Sequence, residues 1–314
     1  MVSWSRRYHL PRVRRRISFT PFDGLLFLMI LIWGAHYTIL KAAFLEVSYL
    51  AFNAARLLIA STLFVAIIAW QGFPRLTRRD WVQLILLGAV GHGLYQVLFM
   101  GGLVRTTVGN SSLIAGCSPV AVALASAWAG HERISRAQGL GVVLSTIGIY
   151  VIVGHTAELA AAHLVGDLLT VAAVLCWAVY TVGSRALLAR FSPMVVTGLT
   201  IAVGTVMYLP VAGRDLVSTS WGSLSPGVWA AMLFSSLLSL NVAYLIWYTS
   251  VQRIGNLRTS AWSNLTPVVA VSTAAFYLGE PVTRGKVLGA IAILAGVALT
   301  RLVSRGQPDA PAEE

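Results

Sequence analysis

Arg56, His36 and His92 stand in stretches that are otherwise apolar, where a charged or titratable side chain needs a reason. An arginine at the centre of a membrane helix costs about 2.5–3.5 kcal/mol on insertion scales. A substrate carboxylate would offset that cost. So would pairing with a helix end, or extension of the side chain toward the membrane surface. Tyr95 and Gln96 follow His92 by one helical turn, and Asn241 and Tyr244 occupy the matching place in a later segment. An imidazole at such a depth can bind substrate, carry a proton or simply pack through hydrogen bonds. Trp33, His36 and Tyr37 form one aromatic run, and Trp177 and Tyr180 form another. These are candidates to stack on a substrate, with ordinary core filling as the plain alternative. Trp262 lies before Pro267, and Pro119 holds the matching position earlier in the chain. A proline frees backbone carbonyls, which a membrane tolerates only where they face protein or a cavity. Pro119 and Pro267 are therefore hinge or cavity candidates.

The elements that must hold these residues are apolar helices. Of the 314 residues, 57% are hydrophobic and only 11% charged, against roughly 25% charged in soluble domains. Too few charges remain to coat a water-facing surface, so lipid is the expected solvent. A helix needs about 20 apolar residues to span the hydrocarbon. Ten such stretches are predicted, making the fold an all-α membrane protein of ten transmembrane helices. A rise of 1.5 Å per residue from Asp23 puts Trp33 about 15 Å deep, near the midplane. The chemistry-bearing residues thus converge at mid-depth.

The net charge of +12 does not indicate nucleic acid, because its distribution is topological. Six arginines precede the first apolar run, in a basic tail over residues 1–20. With the amino terminus inside, 17 basic residues fall on inner segments and five on outer ones. That bias predicts both termini in the cytoplasm and an even number of spans. A bacterial inner (plasma) membrane is the expected location. Cys117 and Cys176 both lie in apolar runs and are read as small hydrophobes.

The chain also repeats itself. WGAHYTILKA aligns with WAVYTVGSRA at an offset of 144, with Asp23 and Asp167 each ten residues before their Trp. At an offset of 148, Arg105, Pro119, Glu132, Gly141 and Gly148 match Arg253, Pro267, Glu280, Gly289 and Gly296. Each copy holds five spans, at residues 21–154 and 166–303, with a second tail at 304–314. An odd number of spans sends the second copy in from the opposite face, giving two inverted repeats. Secondary transporters use this architecture, with the substrate site between the halves. Arg56 has no basic counterpart near Ile201, so any contact it makes with substrate is asymmetric.

Two acidic turns complete the pattern: Gly130-His131-Glu132-Arg133 and Gly279-Glu280-Pro281. Each follows a helix bearing Ser118-Pro119 or Thr266-Pro267 and precedes a Gly-rich helix. With the Trp-led first helices, the chain resembles the drug/metabolite transporter superfamily, EamA type, over nearly all of residues 20–303. The resemblance implies a ten-helix exporter of small metabolites, amino acids among them, with a central cavity lined by helices 1, 3, 4, 6, 8 and 9. Glu132 and Glu280 are gate candidates, the alternative being that each stabilises the start of the next helix. The two turns differ in sequence, so the two gates need not behave alike.

No Asp or Glu lies in the middle of helices 1 and 6, whereas the interior candidates are cationic or neutral: Arg56, His36, His92 and Lys41. This favours carboxylate-bearing substrates over organic cations, and a single Arg56 is thin for phosphorylated metabolites. The competing classes are a membrane enzyme and a non-transporting receptor or assembly factor. No Gly-x-Ser-x-Gly and no His-Glu-x-x-His occurs, so neither a serine nucleophile elbow nor a zincin pair is expected. No cofactor or metal is expected. The partners are a small-molecule substrate and the bilayer, with monomer and dimer both open.

Overall fold

The structure is a computed structural model and describes residues 21–130, 136–157, 161–254, 262–263 and 265–304. The described residues are helical or in connecting turns, with no strand among them. The helices are α1 (Pro21–Ala43), α2 (Tyr49–Gln71), α3 (Arg78–Arg105), α4 (Val108–Trp128), α5 (Arg136–Ala157), α6 (Ala161–Gly183), α7 (Pro193–Ser218), α8 (Pro226–Ile254), α9 (Thr266–Leu278) and α10 (Arg284–Ser304). Among the described residues, seven helices are long and apolar enough to cross a membrane, and shorter apolar stretches lie at Gly139–Val151 and Thr266–Leu278. Their outer faces carry exposed Phe27, Leu31, Leu86, Leu175 and Val206, as lipid solvent allows. Trp70 and Trp128, at the ends of α2 and α4, are 86% and 90% exposed, where amphipathic rings suit the interface.

Polar residues in the turns set where helices begin. Ser48, Thr107, Ser192 and Ser225 each cap a helix through the side-chain oxygen, which accepts a backbone N–H two or three residues on. Pro193 and Pro226 follow directly, with φ already helical. Thr77 and Asp80 form a reciprocal capping box on α3, each satisfying a backbone donor of the other. Gly279 ends α9 in the left-handed conformation, at φ 64°, where a side chain would be strained.

Two helices depart from the α form at equivalent places. α3 widens into a π-helical segment over Ala89–Leu94, and α8 does so over Phe234–Val242. π bulges gather at functional sites because they turn side chains out of the α register. α4 breaks at Gly116–Cys117 and resumes at Ser118-Pro119, and Pro267 stands in the first turn of α9.

α2 packs on α7 and α5 on α10, while α1 lies against α8 and α9, and α6 against α3 and α4. Small residues permit the closest approaches. A Cβ on Gly148 would lie 2.8 Å from the carbonyl of Gly289, and one on Gly296 would lie 2.5 Å from that of Gly141. Helices meet this closely where their interface lacks side chains. We call the end where α1 begins the near end and the end where it finishes the far end.

Candidate functional site

Arg56, on α2, is the largest fully buried side chain, 1% exposed. Its guanidinium is held by neutral acceptors alone. Nε donates to Asn53 Oδ1 at 2.6 Å, Nη1 to His36 Nε2 at 2.8 Å and Nη2 to Gln96 Oε1 at 2.8 Å. No Asp or Glu pairs with it among the described residues. A guanidinium has five donors and no acceptor. Three are used here, and the positive charge has no counterion. Burying an unpaired charge is costly, so this arrangement suits an anion that comes and goes.

His36 fixes the geometry from the other side. Arg56 can only donate, so Nε2 carries the lone pair and Nδ1 the proton. Nδ1 then donates to Ser239 Oγ at 3.2 Å, and Ser235 Oγ lies 3.0 Å from Nε2. Both serines belong to the π segment of α8. The carbonyl of Ser239 also accepts the Trp33 indole N–H at 3.2 Å. The unwound register of α8 thus supplies three contacts to one turn of α1.

Around this anchor lies an aromatic cluster. The Trp33 ring is 5.6 Å from Tyr244, 5.8 Å from Trp247 and 6.5 Å from Trp177. Trp177 is 5.8 Å from Tyr95 and 5.7 Å from Tyr244. Edge-to-face arrangements dominate, as ring quadrupoles prefer. His92 is fully buried in the π segment of α3, its ring 4.8 Å from Tyr180 and 5.6 Å from Tyr244. Neither of its nitrogens has a hydrogen-bond partner among the described residues. Gly91 and Gly204 make this packing possible, since a Cβ on either would overlap Tyr180 or His92 respectively.

The residues expected from sequence therefore divide. Trp33, His36, Arg56, His92, Tyr95, Gln96, Trp177, Tyr180 and Tyr244 come together. Tyr37 joins at the edge, packed edge-on to Phe99 at 5.4 Å, whose ring in turn stacks on Tyr95 at 5.6 Å. Asn241 turns to α2, where Nδ2 donates to the Ala60 carbonyl at 3.3 Å. Trp262 is half-buried against the apolar cluster that includes Tyr244 and Trp247. Pro119 and Pro267 both stand at helix starts, and a Cβ on Gly116, at the α4 break, would lie 3.1 Å from Pro267. Glu132 falls outside the described residues. Glu280 does not serve the start of the helix that follows it, α10. Its carboxylate instead accepts from the N–H groups of Val108 at 2.7 Å and Gly109 at 3.1 Å, at the start of α4. The reason is proximity in space: α4 and α9 pack together, which brings two unsatisfied donors to the carboxylate.

Asn53, Ser235 and Ser239 were not singled out in the sequence. Serines and asparagines in helices usually serve backbone bonds, and only the Ser-rich run FSSLLSLN hinted otherwise. The far end holds a second polar network. Lys41 donates to the carbonyls of Leu103, Val104 and Thr106 at 2.6–3.1 Å. Asp167 accepts from Thr106 Oγ1 at 2.5 Å and from Asn110 Nδ2 at 3.1 Å. Lys286 lies 3.6 Å from Glu280. These bonds tie α1, α3, α4, α6, α9 and α10 together at that end.

Known proteins resemble this chain over most of its length. The chain is 28% identical over 244 residues to the uncharacterized transporter YyaM of Bacillus subtilis, covering 76% of this chain and 80% of that one. It is 29% identical to a probable terminal-alkyne amino-acid exporter of Streptantibioticus cattleyicolor, covering 87% and 91%. It is 25% identical to a probable amino-acid metabolite efflux pump of Salmonella typhimurium, covering 88% and 93%. One solved crystal structure aligns with a TM-score of 0.63 at 22% identity, over 92% of this chain and 99% of its own, a likeness of fold. The model of the EamA-like transporter family matches twice, over residues 21–154 and 164–302. The chain thus belongs to the EamA-like transporter family, within the drug/metabolite transporter superfamily.

Proposed function

We propose that this protein exports small carboxylate-bearing metabolites, amino acids first among them, by alternating access. The observation that carries this reading is Arg56, a buried guanidinium with neutral partners and no counterion among the described residues. A substrate carboxylate would supply the missing charge and use the free donors. Trp33, Trp177, Tyr95 and Tyr244 would then hold the apolar part of the substrate. The printed names of two relatives, an amino-acid exporter and an amino-acid metabolite efflux pump, point the same way.

In this reading the chain crosses the membrane ten times as two inverted five-helix repeats, residues 21–154 and 166–303, with both tails in the cytoplasm. Its place is a bacterial inner membrane. The reciprocal packing of α2 on α7 and α5 on α10 supports a two-fold relation, as does the paired placing of the π segments. The Glu280–α4 contact is the outer gate, and its opening exposes the site to the far side. Glu132 is its inner counterpart, with Pro119 and Pro267 as hinges. No catalytic step or cofactor is part of the scheme.

The test is efflux of labelled amino acids from proteoliposomes, wild type against Arg56→Gln, His92→Ala and Trp177→Ala. Saturable, competable flux that drops in folded variants supports the site. If no amino acid moves through demonstrably folded protein, the substrate class is wrong. If flux persists undiminished in Arg56→Gln, the carboxylate anchor lies elsewhere.

A further inference from the structure

Between α2 and α7, on the outer side of the helix pair, the structure holds a groove of about 410 Å³. Leu58, Thr62 and Ala66 form one wall, and Ala202, Val206 and Leu209 the other. Thr62, Ala66 and Val206 are exposed, so the groove opens toward the hydrocarbon. Toward the near end the two helices close up, since a Cβ on Gly198 would lie 2.9 Å from Phe64. Ser61 and Thr205 line the floor, but their hydroxyls are spent on backbone. Ser61 donates to the Leu58 carbonyl at 3.2 Å and Thr205 to that of Ile201 at 2.8 Å. What remains is an apolar slot, suited to a hydrocarbon chain. The stripe of α2 that lines it runs on through exposed Ala69 to Trp70 and Phe73. Just beyond, Arg75, Arg78 and Arg79 are exposed, and none of the three pairs with an acid among the described residues. The carboxylate in this surface, Asp80, is already matched by Arg190 at 2.8 Å. Arg78 and Arg79 open α3, where the helix dipole disfavours cations, so helix stability does not account for them.

We infer that this groove binds one acyl chain of an anionic phospholipid whose headgroup is held at the near end by Arg75, Arg78 and Arg79. Unpaired arginines beside interfacial aromatic rings are the setting in which anionic headgroups bind. The depth agrees. Ala66 and Leu58 lie five and thirteen residues from the end of α2 at Gln71, about 8 and 20 Å of helix rise. Half the hydrocarbon core is about 15 Å, so the groove meets the lower part of a chain rooted at the near end. The far end is less suited to such a headgroup, because Glu46, Arg214 and Asp215 flank the same two helices there with a net negative charge. α2 and α7 belong to the two separately matched segments, 21–154 and 164–302. A chain lodged between them therefore braces the seam of the two halves. The inference concerns the protein's lipid partner and does not depend on which substrate it moves.

The probe is phosphatidylglycerol carrying a diazirine in the middle of one acyl chain, compared with phosphatidylcholine carrying the same chain. The full chain is photolabelled in phosphatidylcholine nanodiscs, and the labelled residues are mapped by mass spectrometry. In wild type the phosphatidylglycerol label should gather on residues 58–66 and 202–209. It should exceed the label on the exposed face of α10, around Leu288 and Ile291, by about fivefold, and exceed the phosphatidylcholine label in the groove by about the same factor. Thr62→Phe with Ala66→Phe fills the groove from its exposed side and should bring its labelling down to that of α10. Arg75→Gln with Arg78→Gln and Arg79→Gln should make the two probes equal. Unfolding midpoints check that the variants fold, and if either set does not, the wild-type comparison of two probes on two faces still decides. If label spreads evenly over the outer faces of the helices, the groove is ordinary hydrocarbon surface and the inference fails. If both probes label the groove equally in wild type, or the triple variant keeps the preference, the headgroup assignment is overturned. If the groove stays unlabelled and native mass spectrometry finds paired chains, a second copy covers it and the lipid is ruled out. None of these readouts involves transport, so the substrate reading stands or falls separately.

Discussion

The cluster at Arg56 and the cluster at Tyr180 are two versions of one place. At an offset of 144, His36 corresponds to Tyr180 and Arg56 to Thr200. Both pairs make the same contact, Arg56 Nη1 to His36 Nε2 at 2.8 Å and Tyr180 to Thr200 through their hydroxyls at 3.1 Å. At an offset of 148, Gln96 corresponds to Tyr244, and Gly91 to Ser239. Both third helices widen into π geometry at this level. In one copy the widening brings Ser235 and Ser239 to His36. In the other it brings Gly91 under Tyr180 and leaves His92 without a partner. The copies share backbone geometry and diverge in chemistry. One holds a charge in a bonded cage, and the other sets a chain of neutral hydroxyls beside a buried imidazole. The duplicated fold therefore presents two chemically different sides.

The largest effect expected from this contrast is at Arg56. Arg56→Met removes every charge-assisted bond to a carboxylate, each worth about 1.5–3 kcal/mol. Flux of amino acids should fall by roughly 100-fold or more. The substitution relieves a buried charge but leaves Asn53, His36 and Gln96 without their donor, and buried acceptors left unpaired are costly, so the thermal unfolding midpoint should fall, and flux is compared on the folded fraction. Thr200→Val, at the equivalent position, should cost flux about tenfold at most. Equal losses in the two variants would show that the copies are not divided into charged and neutral halves.

The next contrast is structural. Gly91→Ala drives a Cβ into the Tyr180 ring, an overpacking that costs about 3 kcal/mol at the upper end of its range because the ring is boxed in. Ser239→Ala, at the matching position, removes the hydroxyl that accepts from His36 Nδ1 and should cost about 1 kcal/mol. Thermal unfolding in detergent reads both. If Ser239→Ala proves the more damaging, the α8 segment is the rigid element and the α3 segment yields.

Much of this was legible in the sequence because membrane helices announce themselves by apolar length, and the offsets of 144 and 148 align Trp, Pro, Glu and Gly marks. Arg56, His36 and His92 stood out because a polar group in lipid is costly. Their mutual geometry was not legible. His36 and Arg56 are 20 residues apart on different helices, and the two π segments share only Val and Leu, AVGHGL against FSSLLSLNV. Ser235 and Ser239 looked like helix serines bonding their own backbone. The target of Glu280 was hidden for a related reason. Its nearest donors in sequence are in α10, whereas its nearest donors in space are 171 and 172 residues away, in α4.

The smallest expected effect tests whether the divergence between copies extends to their helix caps. Thr77 and Ser225 correspond at the offset of 148 and cap α3 and α8 respectively. Thr77 takes its carboxylate from its own helix: Asp80 accepts from the Thr77 N–H at 2.9 Å and from its hydroxyl at 2.7 Å, and pairs with Arg190 at 2.8 Å. Ser225 takes its carboxylate from the α1–α2 turn, where exposed Glu46 accepts from its N–H at 3.2 Å and its hydroxyl at 2.9 Å. The Asp80 carboxylate is covered by its own helix start while its partner Arg190 is half exposed, so Asp80→Asn, which loses the ion pair and weakens the capping box, should lower the unfolding midpoint more than a change at the exposed turn. Glu46 is screened by water, so Glu46→Gln should cost a few tenths of a kcal/mol at most, about the value of an exposed pair. Salt sharpens the distinction, because screening acts on exposed charges far more than on buried ones. Raising ionic strength should therefore erase the Glu46→Gln difference in unfolding midpoint while leaving most of that for Asp80→Asn. Equal salt sensitivity in the two variants would mean that the caps of both copies are held by the same solvent-exposed electrostatics, and that their divergence is confined to the membrane interior.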